Sequence, residues 1–361
     1  MAEGLYIHIP YCRGKCIYCD FYSTPRREGM AAVAAGIAAE IRARVTEAPR
    51  TVYIGGGTPS IMPAGLLAEI VEAIPAGRVE EFTVEANPDD VDAAWAREIR
   101  ALGVNRVSMG VQSLDDKVLR QIGRRHSAAQ ARRAVDVLLG EGIDNISCDL
   151  IYGLPGQSAE GWRIDLKAML GWPIKHLSAY CLTWSEGTAL HRMLLAGELS
   201  PTDDADLAER YRVLCEMAAE AGLEHYEISN FARPGYRSRH NSLYWARGGS
   251  WIGAGPAAHS YAGGERSYNP ADIDGWLARL PMPGIIEEET ATERVNDRIV
   301  SALRTAEGLD TTEIPAALRA GMMHDARRHI EAGTLVADGT RLAIPERYWF
   351  VSDSIIRDLI R

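Results

Sequence analysis

The sequence lacks the features that mark membrane-spanning, secreted and nucleic-acid-binding proteins. No apolar run is long enough to cross a bilayer, and the first residues form neither a signal peptide nor an Arg- and Ser-rich transit sequence. Basic residues are outnumbered, with 39 Lys and Arg against 49 Asp and Glu and a formal net charge of −10. Because a nucleic acid is bound through a basic face, this balance argues against such a partner. We expect a cytoplasmic protein that is not integral to a membrane.

Cysteine is too sparse and too unevenly spread for a fold held by disulfides. The chain has six cysteines in 361 residues, and Cys148, Cys181 and Cys215 are scattered rather than paired. Disulfide frameworks are typical of small secreted domains, whereas isolated thiols suit a reducing compartment. We interpret these scattered cysteines as buried packing residues. The sequence also shows no short-period repeat, which argues against a solenoid.

The other cysteines lie close together near the start of the chain. Cys12, Cys16 and Cys19 have the spacing C-x3-C-x2-C and follow a short apolar strand that begins at Leu5. Thiolates on one loop can bind three irons of a 4Fe–4S cluster and leave the fourth iron open to a small molecule. Zinc is the alternative, with His8 as fourth ligand, but His8 lies within the strand and no second Cys or His pair follows. The spacing therefore favours an iron–sulfur centre over a zinc site.

Strand and helix patterns alternate through most of the chain. This alternation indicates parallel βαβ units, and six of them predict an incomplete barrel or a curled open sheet. The strands after the first are predicted at Thr51–Gly55, Glu81–Ala86, Arg106–Val111, Asn145–Tyr152 and His176–Leu182. The helices are predicted near Met30–Val45, Ala64–Ala73, Asp92–Leu102, Ala128–Glu141, Ala159–Leu170 and Asp203–Ala221.

One face of these strands is repeatedly polar toward its C-terminal end. Because side chains alternate along a strand, Glu85 and Asn87 share a face, as do Ser108 and Gln112, and Asp149 has the same position on the next strand. In barrels of parallel strands these ends build the active site. The pattern predicts a wide, hydrated lumen that binds a polar ligand. A half-exposed sheet with a solvated face is the alternative.

A glycine-rich turn follows the second strand. The sequence Gly55-Gly-Gly-Thr-Pro-Ser60 lets the backbone approach a ligand closely and offer its polar groups. A tight turn with no ligand is the alternative interpretation. A Rossmann dinucleotide site is excluded, because G-x-G-x-x-G should open a helix and Pro59 interrupts that pattern.

Six short motifs occur in order along the chain: Tyr6-Ile-His-Ile-Pro-Tyr-Cys12, Gly55-Gly-Gly-Thr-Pro-Ser60, Val84-Glu-Ala-Asn-Pro88, Ser108-Met-Gly-Val-Gln-Ser113, Gly123-Arg-Arg-His126 and Asp149-Leu-Ile-Tyr-Gly-Leu-Pro-Gly-Gln157. Together they resemble the radical S-adenosylmethionine (SAM) superfamily, and within it the family of oxygen-independent coproporphyrinogen III dehydrogenases and their relatives. The resemblance covers the chain from Leu5 to about Gly264. It implies that SAM chelates the open iron of the cluster, and that an electron from the cluster generates a 5′-deoxyadenosyl radical.

The resemblance also implies roles for the matching residues. Cys12, Cys16 and Cys19 would bind the cluster, with Tyr6 and Tyr18 beside the cluster and SAM. The other implied SAM ligands are Gly56, Gly57 and Thr58 at the methionine end, Glu85 at its polar groups, Gln112 and Asp149 at the ribose, and Arg124 at the carboxylate. These assignments suit the chemistry, since a carboxylate accepts hydroxyl hydrogen bonds and a guanidinium group offers a fork of donors. For each of the charged or polar side chains alone, a surface or structural role is the alternative.

Two departures separate this sequence from the dehydrogenases of that family. The dehydrogenases carry a further cysteine two residues after the third cluster ligand, where this sequence has Phe21. They also have an extension before the cluster strand, whereas here the strand begins at about Leu5. Both departures match the heme-chaperone (HemW) branch of the family, which is associated with binding and delivering heme.

A later motif agrees with that branch. His240-Asn-Ser-Leu-Tyr-Trp245 is similar to its H-N-x-x-Y-W signature. A neutral imidazole can ligate heme iron, and Tyr244 and Trp245 could stack on a flat macrocycle. His240 is therefore a candidate axial ligand of heme, and His259 is a second candidate. A packed corner in a loop is the alternative interpretation.

The character of the chain changes after about Trp276. Pro281-Met-Pro-Gly284 reads as a turn-rich linker, and a charged helical stretch runs from Glu287 through Arg304. Short helices, a small hairpin near 334–344 and a terminal helix from Ser352 are predicted to follow. The family resemblance implies a winged-helix-like domain here. We therefore predict an α/β fold: an incomplete (β/α)6 radical-SAM barrel over residues 1–280 and a small C-terminal helical domain over 281–361.

Three functions are compatible with this sequence. The first is a heme chaperone that carries a SAM-chelated 4Fe–4S cluster, binds heme and delivers it to apo-hemoproteins such as membrane-associated respiratory enzymes, with an electron donor as a further partner. The second is oxidative decarboxylation of coproporphyrinogen III, which Phe21 and the missing extension argue against. The third is radical chemistry on another substrate, such as methyl transfer with two SAM molecules. Whether SAM is cleaved productively is left open by the sequence.

Overall fold

One large sheet organises the α/β fold of this protein. The computed structural model describes residues 2–246 and 248–361. The strands of the large sheet are β1 (Gly4–Ile9), β2 (Thr51–Gly56), β3 (Glu81–Ala86), β4 (Arg106–Gln112), β5 (Ile146–Tyr152), β6 (His176–Cys181), β7 (Glu224–Glu227), β8 (Asn230–Ala232), β9 (Trp251–Ala254), β10 (His259–Ala262), β11 (Glu265–Tyr268) and β12 (Ile285–Glu287). Their order across the sheet is β12-β11-β10-β9-β1-β2-β3-β4-β5-β6-β8-β7.

The strands predicted from the sequence form the parallel centre of this sheet. β1 to β6 pair in chain order, each parallel to the next. The sheet ends at β12 and β7, which do not pair with each other in the described residues, so the barrel is incomplete. The predicted (β/α)6 partial barrel is confirmed. Apolar residues such as Leu5, Ile7 and Ile9 of β1 are fully buried in a core shared with the surrounding helices.

Helices connect the parallel strands, and polar caps fix where several of them begin. Those of the barrel region are α1 (Met30–Arg44), α2 (Ala64–Glu72), α3 (Ala93–Ala101), α4 (Asp116–Gln121), α5 (Ala128–Gly140), α6 (Ala159–Leu170), α7 (Ala189–Leu195), α8 (Asp204–Glu220), α9 (Arg239–Trp245) and α10 (Ile273–Leu277). Ser127 and Gln130 form a capping box at the start of α5, and Ser158 accepts a hydrogen bond from the Gly161 N–H at the start of α6. Such caps satisfy backbone N–H groups that have no partner inside the helix.

The antiparallel edges of the sheet are absent from the sequence-based prediction. β8 pairs antiparallel to β6 and to β7 at one edge, and β10 to β12 form an antiparallel ribbon at the other. β9 lies parallel to β1. The segment that carries His240, for which the sequence allows a loop, is helix α9. These strands contain only three or four residues each, too few for their alternation to stand out in the sequence.

The C-terminal part contains helices and a small second sheet. Its elements are α11 (Ala291–Leu303), β13 (Leu309–Asp310), α12 (Ala316–Glu331), β14 (Val336–Asp338), β15 (Arg341–Ala343) and α13 (Ser352–Arg357), with sheet order β13-β15-β14. The predicted hairpin and terminal helix are confirmed. β12 pairs with β11, so residues 285–287 belong to the large sheet, and the division of the chain at residue 280 stays a prediction. Within the described residues, no helix combines the length and apolar character that a membrane span requires.

A buried carboxylate joins α1 to the later part of the barrel. Glu40 on α1 has no exposed surface and accepts hydrogen bonds from the Gly255 N–H (2.9 Å), Asn269 Nδ2 (2.9 Å) and Trp276 Nε1 (3.0 Å). It also pairs with Arg44, one turn further along the helix. A buried charge is tolerated when its hydrogen-bonding capacity is filled in this way. Glu40 therefore fixes the segment from β9 to α10 against the first helix.

We expect Glu40→Ala to lower the free energy of unfolding by about 3–5 kcal/mol, because it leaves Arg44 and several buried donors without their partner. Urea denaturation followed by circular dichroism measures the change. Glu47→Ala is the matched control: Glu47 lies on the surface just after α1, and its removal should change stability by less than about 0.5 kcal/mol. Equal effects of the two substitutions would contradict the structural role of Glu40.

Candidate functional site

A cavity of about 590 Å³ opens at the C-terminal ends of the parallel strands. This is the place where barrels of this class hold ligands, and the volume suits a small molecule. The predicted site residues that line it are Cys12, Cys16, Cys19, Tyr18, Gly56, Gly57, Thr58, Glu85, Gln112, Arg124 and Asp149. Tyr6 and His240, which were predicted with them, are not part of the lining.

The cysteine loop forms one wall of the cavity. Cys12, Cys16 and Cys19 are free and half-buried, and a turn closes the loop through a hydrogen bond from the Cys19 N–H to the Cys16 carbonyl (3.2 Å). The Thr58 hydroxyl contacts Cys12 Sγ at 3.1 Å, and Arg124 Nη1 donates to Cys16 Sγ at 3.6 Å. Burial, with a smaller contribution from the neighbouring Cys16 and Cys12, raises the pKa of the Cys19 thiol to about 11. The loop thus presents soft ligands to the cavity from several directions.

The alternative zinc site with His8 does not match the position of that imidazole. His8 is buried, its Nε2 lies 2.9 Å from the Tyr22 carbonyl and its Nδ1 lies 3.2 Å from the Tyr6 hydroxyl. It is not among the residues that line the cavity. The thiols therefore face the cavity without an imidazole ligand beside them, which fits a cluster that keeps one iron for a small molecule.

The glycine turn after β2 brings backbone against the cysteine loop. Gly57 donates its N–H to the Ile9 carbonyl at 2.7 Å, and a Cβ at this position would lie 2.5 Å from the Tyr11 carbonyl oxygen. Gly56 has a φ of +108°, and its Cβ would lie 2.8 Å from the His8 ring. Any side chain would therefore push the turn away from the loop. The turn places Thr58, as well as backbone polar groups, at the edge of the cavity.

Two carboxylates share the floor of the lumen. In the sheet register Glu85 lies opposite Ser108, and Asp149 lies opposite Gly110 and Ser178. The Tyr53 hydroxyl donates to Glu85 at 2.7 Å. Burial raises the pKa of Glu85 to about 7 and that of Asp149 to about 6. Both groups are thus poised to ionise near neutral pH and to accept hydrogen bonds from a polar ligand.

Arg124 and Gln112 carry polar atoms that the protein leaves without partners. Arg124 donates through Nη2 to Asn87 Oδ1 (2.6 Å) and to the Gly110 carbonyl, while its buried Nε has no partner. Gln112 ends β4 at an irregular register, has a φ of +70° and has a buried Oε1 without a partner. Buried polar atoms are rarely left unpaired, and strained backbone is concentrated at functional sites. The protein thus leaves part of the hydrogen-bonding capacity of both side chains unfilled beside the cavity.

Tyr18 and Tyr6 lie at different depths below the surface of the cavity. Tyr18 lines the cavity beside Arg124 and Cys16, and burial raises its pKa strongly. Tyr6 lies deeper, stacked on Tyr53 with 6.1 Å between ring centroids. Tyr53, on which Tyr6 stacks, lines the cavity, whereas Tyr6 does not. The predicted contact of Tyr6 with the cofactor stays a prediction.

The imidazole of His240 is enclosed by protein. It has no exposed surface; Nδ1 lies 2.8 Å from the Thr51 hydroxyl and Nε2 lies 3.0 Å from the Tyr244 hydroxyl. Burial lowers its pKa to about 3, so the ring is neutral. Neither nitrogen is open to a heme iron in this conformation. The assignment of His240 as an axial ligand stays a prediction that this geometry does not favour. His259, the second candidate, is exposed on β10.

Sequence reasoning missed Arg106 and Tyr53 as parts of the site, whereas Asn87 lines the cavity as the polar strand face predicts. Arg106 is 1% exposed at the start of β4, and its Nε and Nη1 have no hydrogen-bond partner. Its charge opposes the effect of burial on the pKa of both Glu85 and Asp149. The sequence did contain evidence for Arg106, since it is a charged residue on the same face of its strand as Ser108.

Known proteins share these features along nearly the whole chain. Residues 6–168 match the model of the radical SAM superfamily. The heme chaperone HemW of Mycobacterium tuberculosis is 35% identical, over 99% of this chain and 94% of its own. The chain belongs to the HemW family of the radical SAM superfamily.

Other members and a solved structure agree with this assignment. HemW of Bacillus subtilis is 32% identical over 85% of this chain and 84% of its own. The structure of coproporphyrinogen III oxidase (HemN) from Escherichia coli, described as a radical SAM enzyme, matches with a TM-score of 0.86 and 19% identity, covering 99% of this chain and 90% of that one. At this identity the likeness to HemN shows the fold alone.

Membership in the radical SAM superfamily implies a 4Fe–4S cluster and SAM, and the HemW-family cavity fits both. The loop thiols are soft ligands for iron. The unpaired Arg124 Nε suits the SAM carboxylate, and the unpaired Gln112 Oε1 suits a hydroxyl donor. When bound by Cys12, Cys16 and Cys19, such a cluster would be able to supply an electron to SAM. The individual residue roles stay predictions.

The raised pKa values predict how SAM binding depends on pH. If ionised Glu85 and Asp149 accept hydrogen bonds from SAM, affinity should rise with pH through about 6 and 7. Below about pH 7 protonation of Glu85 lowers it roughly tenfold per pH unit, and below about pH 6 protonation of Asp149 adds a further factor of roughly ten per unit. Anaerobic titration of cluster-loaded protein with SAM measures this. Glu85→Gln should remove the dependence near pH 7 and keep the one near pH 6, while the exposed-site control Glu72→Gln should follow the wild type. A wild-type affinity that is independent of pH would contradict this role.

Proposed function

We propose that this protein is a heme chaperone: it binds heme, carries a SAM-chelated 4Fe–4S cluster, and transfers heme to apo-hemoproteins. The observation that carries the proposal is the match, over nearly the full length, to proteins named heme chaperone HemW. The recipients in the proposal are membrane-associated respiratory enzymes. The protein would act in the cytoplasm and receive electrons for the cluster from a separate donor.

The rim of the cavity supports a role with a flat, apolar ligand. Phe21 follows the cysteine loop, lines the cavity and is 65% exposed. Tyr180, at the opposite end of the strand row, is 40% exposed and also lines the cavity. Exposed aromatic side chains at a cavity mouth suit the face of a macrocycle. In the proposal, SAM occupies the polar floor and heme rests against this rim.

The chain's own residues have separable tasks in this proposal. Arg124 orients the SAM carboxylate while its Nη1 contact holds Cys16 in place. Glu85 and Asp149 hold the polar groups of SAM against the strand ends, and the glycine turn limits how far SAM moves from the loop. Phe21 excludes water from the mouth when heme is bound. This division explains how SAM could act as a structural ligand or as a reactant in one site.

Heme binding and transfer test the function directly. Cluster-loaded protein with SAM should bind one heme per chain, followed by the heme absorption spectrum, and should load an apo-hemoprotein faster than free heme does. Phe21→Ala should weaken heme binding about tenfold or more, since burying a Phe side chain contributes about 1.5–3 kcal/mol. Val336→Ala, at an exposed site on the small sheet, should have no effect. Formation of protoporphyrinogen IX from coproporphyrinogen III would overturn the chaperone as main function.

The heme axial ligand needs a test of its own. We expect His240→Ala to keep the heme spectrum of the wild type, because both imidazole nitrogens are hydrogen-bonded and the ring is enclosed. The same substitution should lower thermal stability, since it leaves the Thr51 and Tyr244 hydroxyls unpaired. Loss of the iron–imidazole signature in the spectrum, with heme still bound, would instead establish His240 as the ligand. His259→Ala provides the comparison at the second candidate.

A further inference from the structure

A second group of metal-ligating side chains lies away from the cysteine loop. Cys215 on α8, His225 on β7 and Glu346 in the C-terminal part direct ligand atoms to one point, and these atoms all lie within 4.8 Å of one another. Cys215 Sγ is 3.8 Å from His225 Nδ1, and His225 Nδ1 is 2.7 Å from Glu346 Oε1. The sequence suggested only a packing role for Cys215. Cys215 and His225 are ten residues apart, but Glu346 lies 121 residues after His225, so spacing in the sequence could not reveal the group.

These separations are close to those around a tetrahedral zinc ion. Usual zinc bond lengths put sulfur and nitrogen ligands about 3.6 Å apart, and nitrogen and oxygen ligands about 3.4 Å apart. The sulfur–nitrogen separation here already matches, at 3.8 Å. The shorter distance between His225 and Glu346 is that of a hydrogen bond. Replacing the shared proton by a metal ion requires only a small outward movement of the Glu346 side chain, which is 54% exposed.

The far side of the imidazole is arranged as for a metal ligand. The Tyr211 hydroxyl donates to the Ile228 carbonyl at 2.9 Å, so both of these oxygens offer lone pairs to His225 Nε2, which lies 3.4 Å from each. Nε2 therefore carries a proton, and Nδ1 faces Cys215 and Glu346, where the proton it shares with Glu346 is the one that a metal ion would replace. An outer hydrogen bond that fixes the tautomer in this way is a regular feature of metal-bound histidines.

Aromatic packing holds the imidazole in place. The His225 ring stacks on Phe231 with 4.0 Å between centroids and contacts Trp349 edge-on at 4.3 Å. Phe231 belongs to the barrel sheet, and Trp349 belongs to the same C-terminal turn as Glu346. The ligands from the barrel are thus rigid and partly desolvated, whereas Glu346 faces solvent and leaves room for a water molecule.

We propose that Cys215, His225 and Glu346 bind a divalent transition-metal ion of the zinc type, with water as the fourth ligand. Thiolate, imidazole and carboxylate together are typical zinc ligands, and magnesium or calcium would prefer oxygen alone. Binding displaces the thiol proton and the proton between His225 and Glu346. The ion joins the C-terminal part to the barrel at this point.

The proposed metal site lies next to a turn that forms part of the cavity wall. His225 lies on β7, and the turn that follows carries Ile228 and Ser229, both of which line the cavity. The Ile228 N–H donates to the Arg304 carbonyl at 3.1 Å, at the end of α11. A metal ion behind this turn would therefore fix both the wall of the cavity and the C-terminal part that packs behind it. This inference does not depend on the proposed heme function.

Cobalt binding tests the site without interference from the cluster. The full-length chain with Cys12, Cys16 and Cys19 changed to Ser should bind one Co²⁺ per chain and show a thiolate-to-cobalt charge-transfer band. Adding Cys215→Ser should abolish the band, and Glu346→Gln should weaken Co²⁺ binding at least tenfold. Glu331→Gln, an exposed acidic residue at the end of α12, is the matched control and should bind as the parent does.

Zinc binding by the cluster-loaded wild type provides the second measurement. Elemental analysis after dialysis against Zn²⁺ should find one zinc per chain beside the cluster iron, and zinc should raise the thermal midpoint of the wild type but not of Cys215→Ser. Circular dichroism confirms that each variant is folded. Absence of Co²⁺ binding, a charge-transfer band that survives without Cys215, or equal affinities of Glu346→Gln and Glu331→Gln would each overturn the proposal.

Discussion

Burial of opposite charges at the ends of the parallel strands is the constraint on which this structure depends. Glu85, Asp149 and Arg124 are half-buried around the lumen, and Arg106, at the start of β4, is fully buried close enough to lower the pKa of both carboxylates. In such surroundings a charge is stable only where opposite charge and hydrogen bonds compensate it. Arg106 and Arg124 are only partly paired by protein atoms. The lumen is therefore electrostatically incomplete, and a ligand with both amino and carboxylate groups would complement it.

The cysteine loop is linked to that charged floor through Arg124. Its guanidinium group contacts Cys16 on one side and Asn87 and the Gly110 carbonyl on the other. The position of the metal-binding loop is thus coupled to the ends of β3 and β4 by one side chain. A cluster on this loop and a ligand in the lumen would therefore be held in fixed relation. A Cβ at Gly110 would lie 2.9 Å from Gln112 Nε2 and 3.4 Å from Arg124 Nη2, so a side chain there would crowd both groups.

The parallel strands and their helices could be predicted from the sequence, because each is long enough for its periodicity and caps to be visible. The side chains around the cavity followed from strand alternation and from the family motifs. The features that the sequence did not reveal are those that depend on tertiary contacts. Arg106 looks like the charged start of a strand until the fold encloses it. The burial of His240 likewise depends on Thr51 and Tyr244, which approach only when α9 packs on β2.

The end of β7 and the turn that follows it lie between the cavity and the C-terminal part. Its residues Ile228 and Ser229 face the cavity, while His225, just before them, packs against Trp349 of the C-terminal part. A displacement of the C-terminal part would therefore reach the cavity wall through a short, hydrogen-bonded turn. The C-terminal part thus has a physical means of acting on the ligand site although it contributes almost none of its lining.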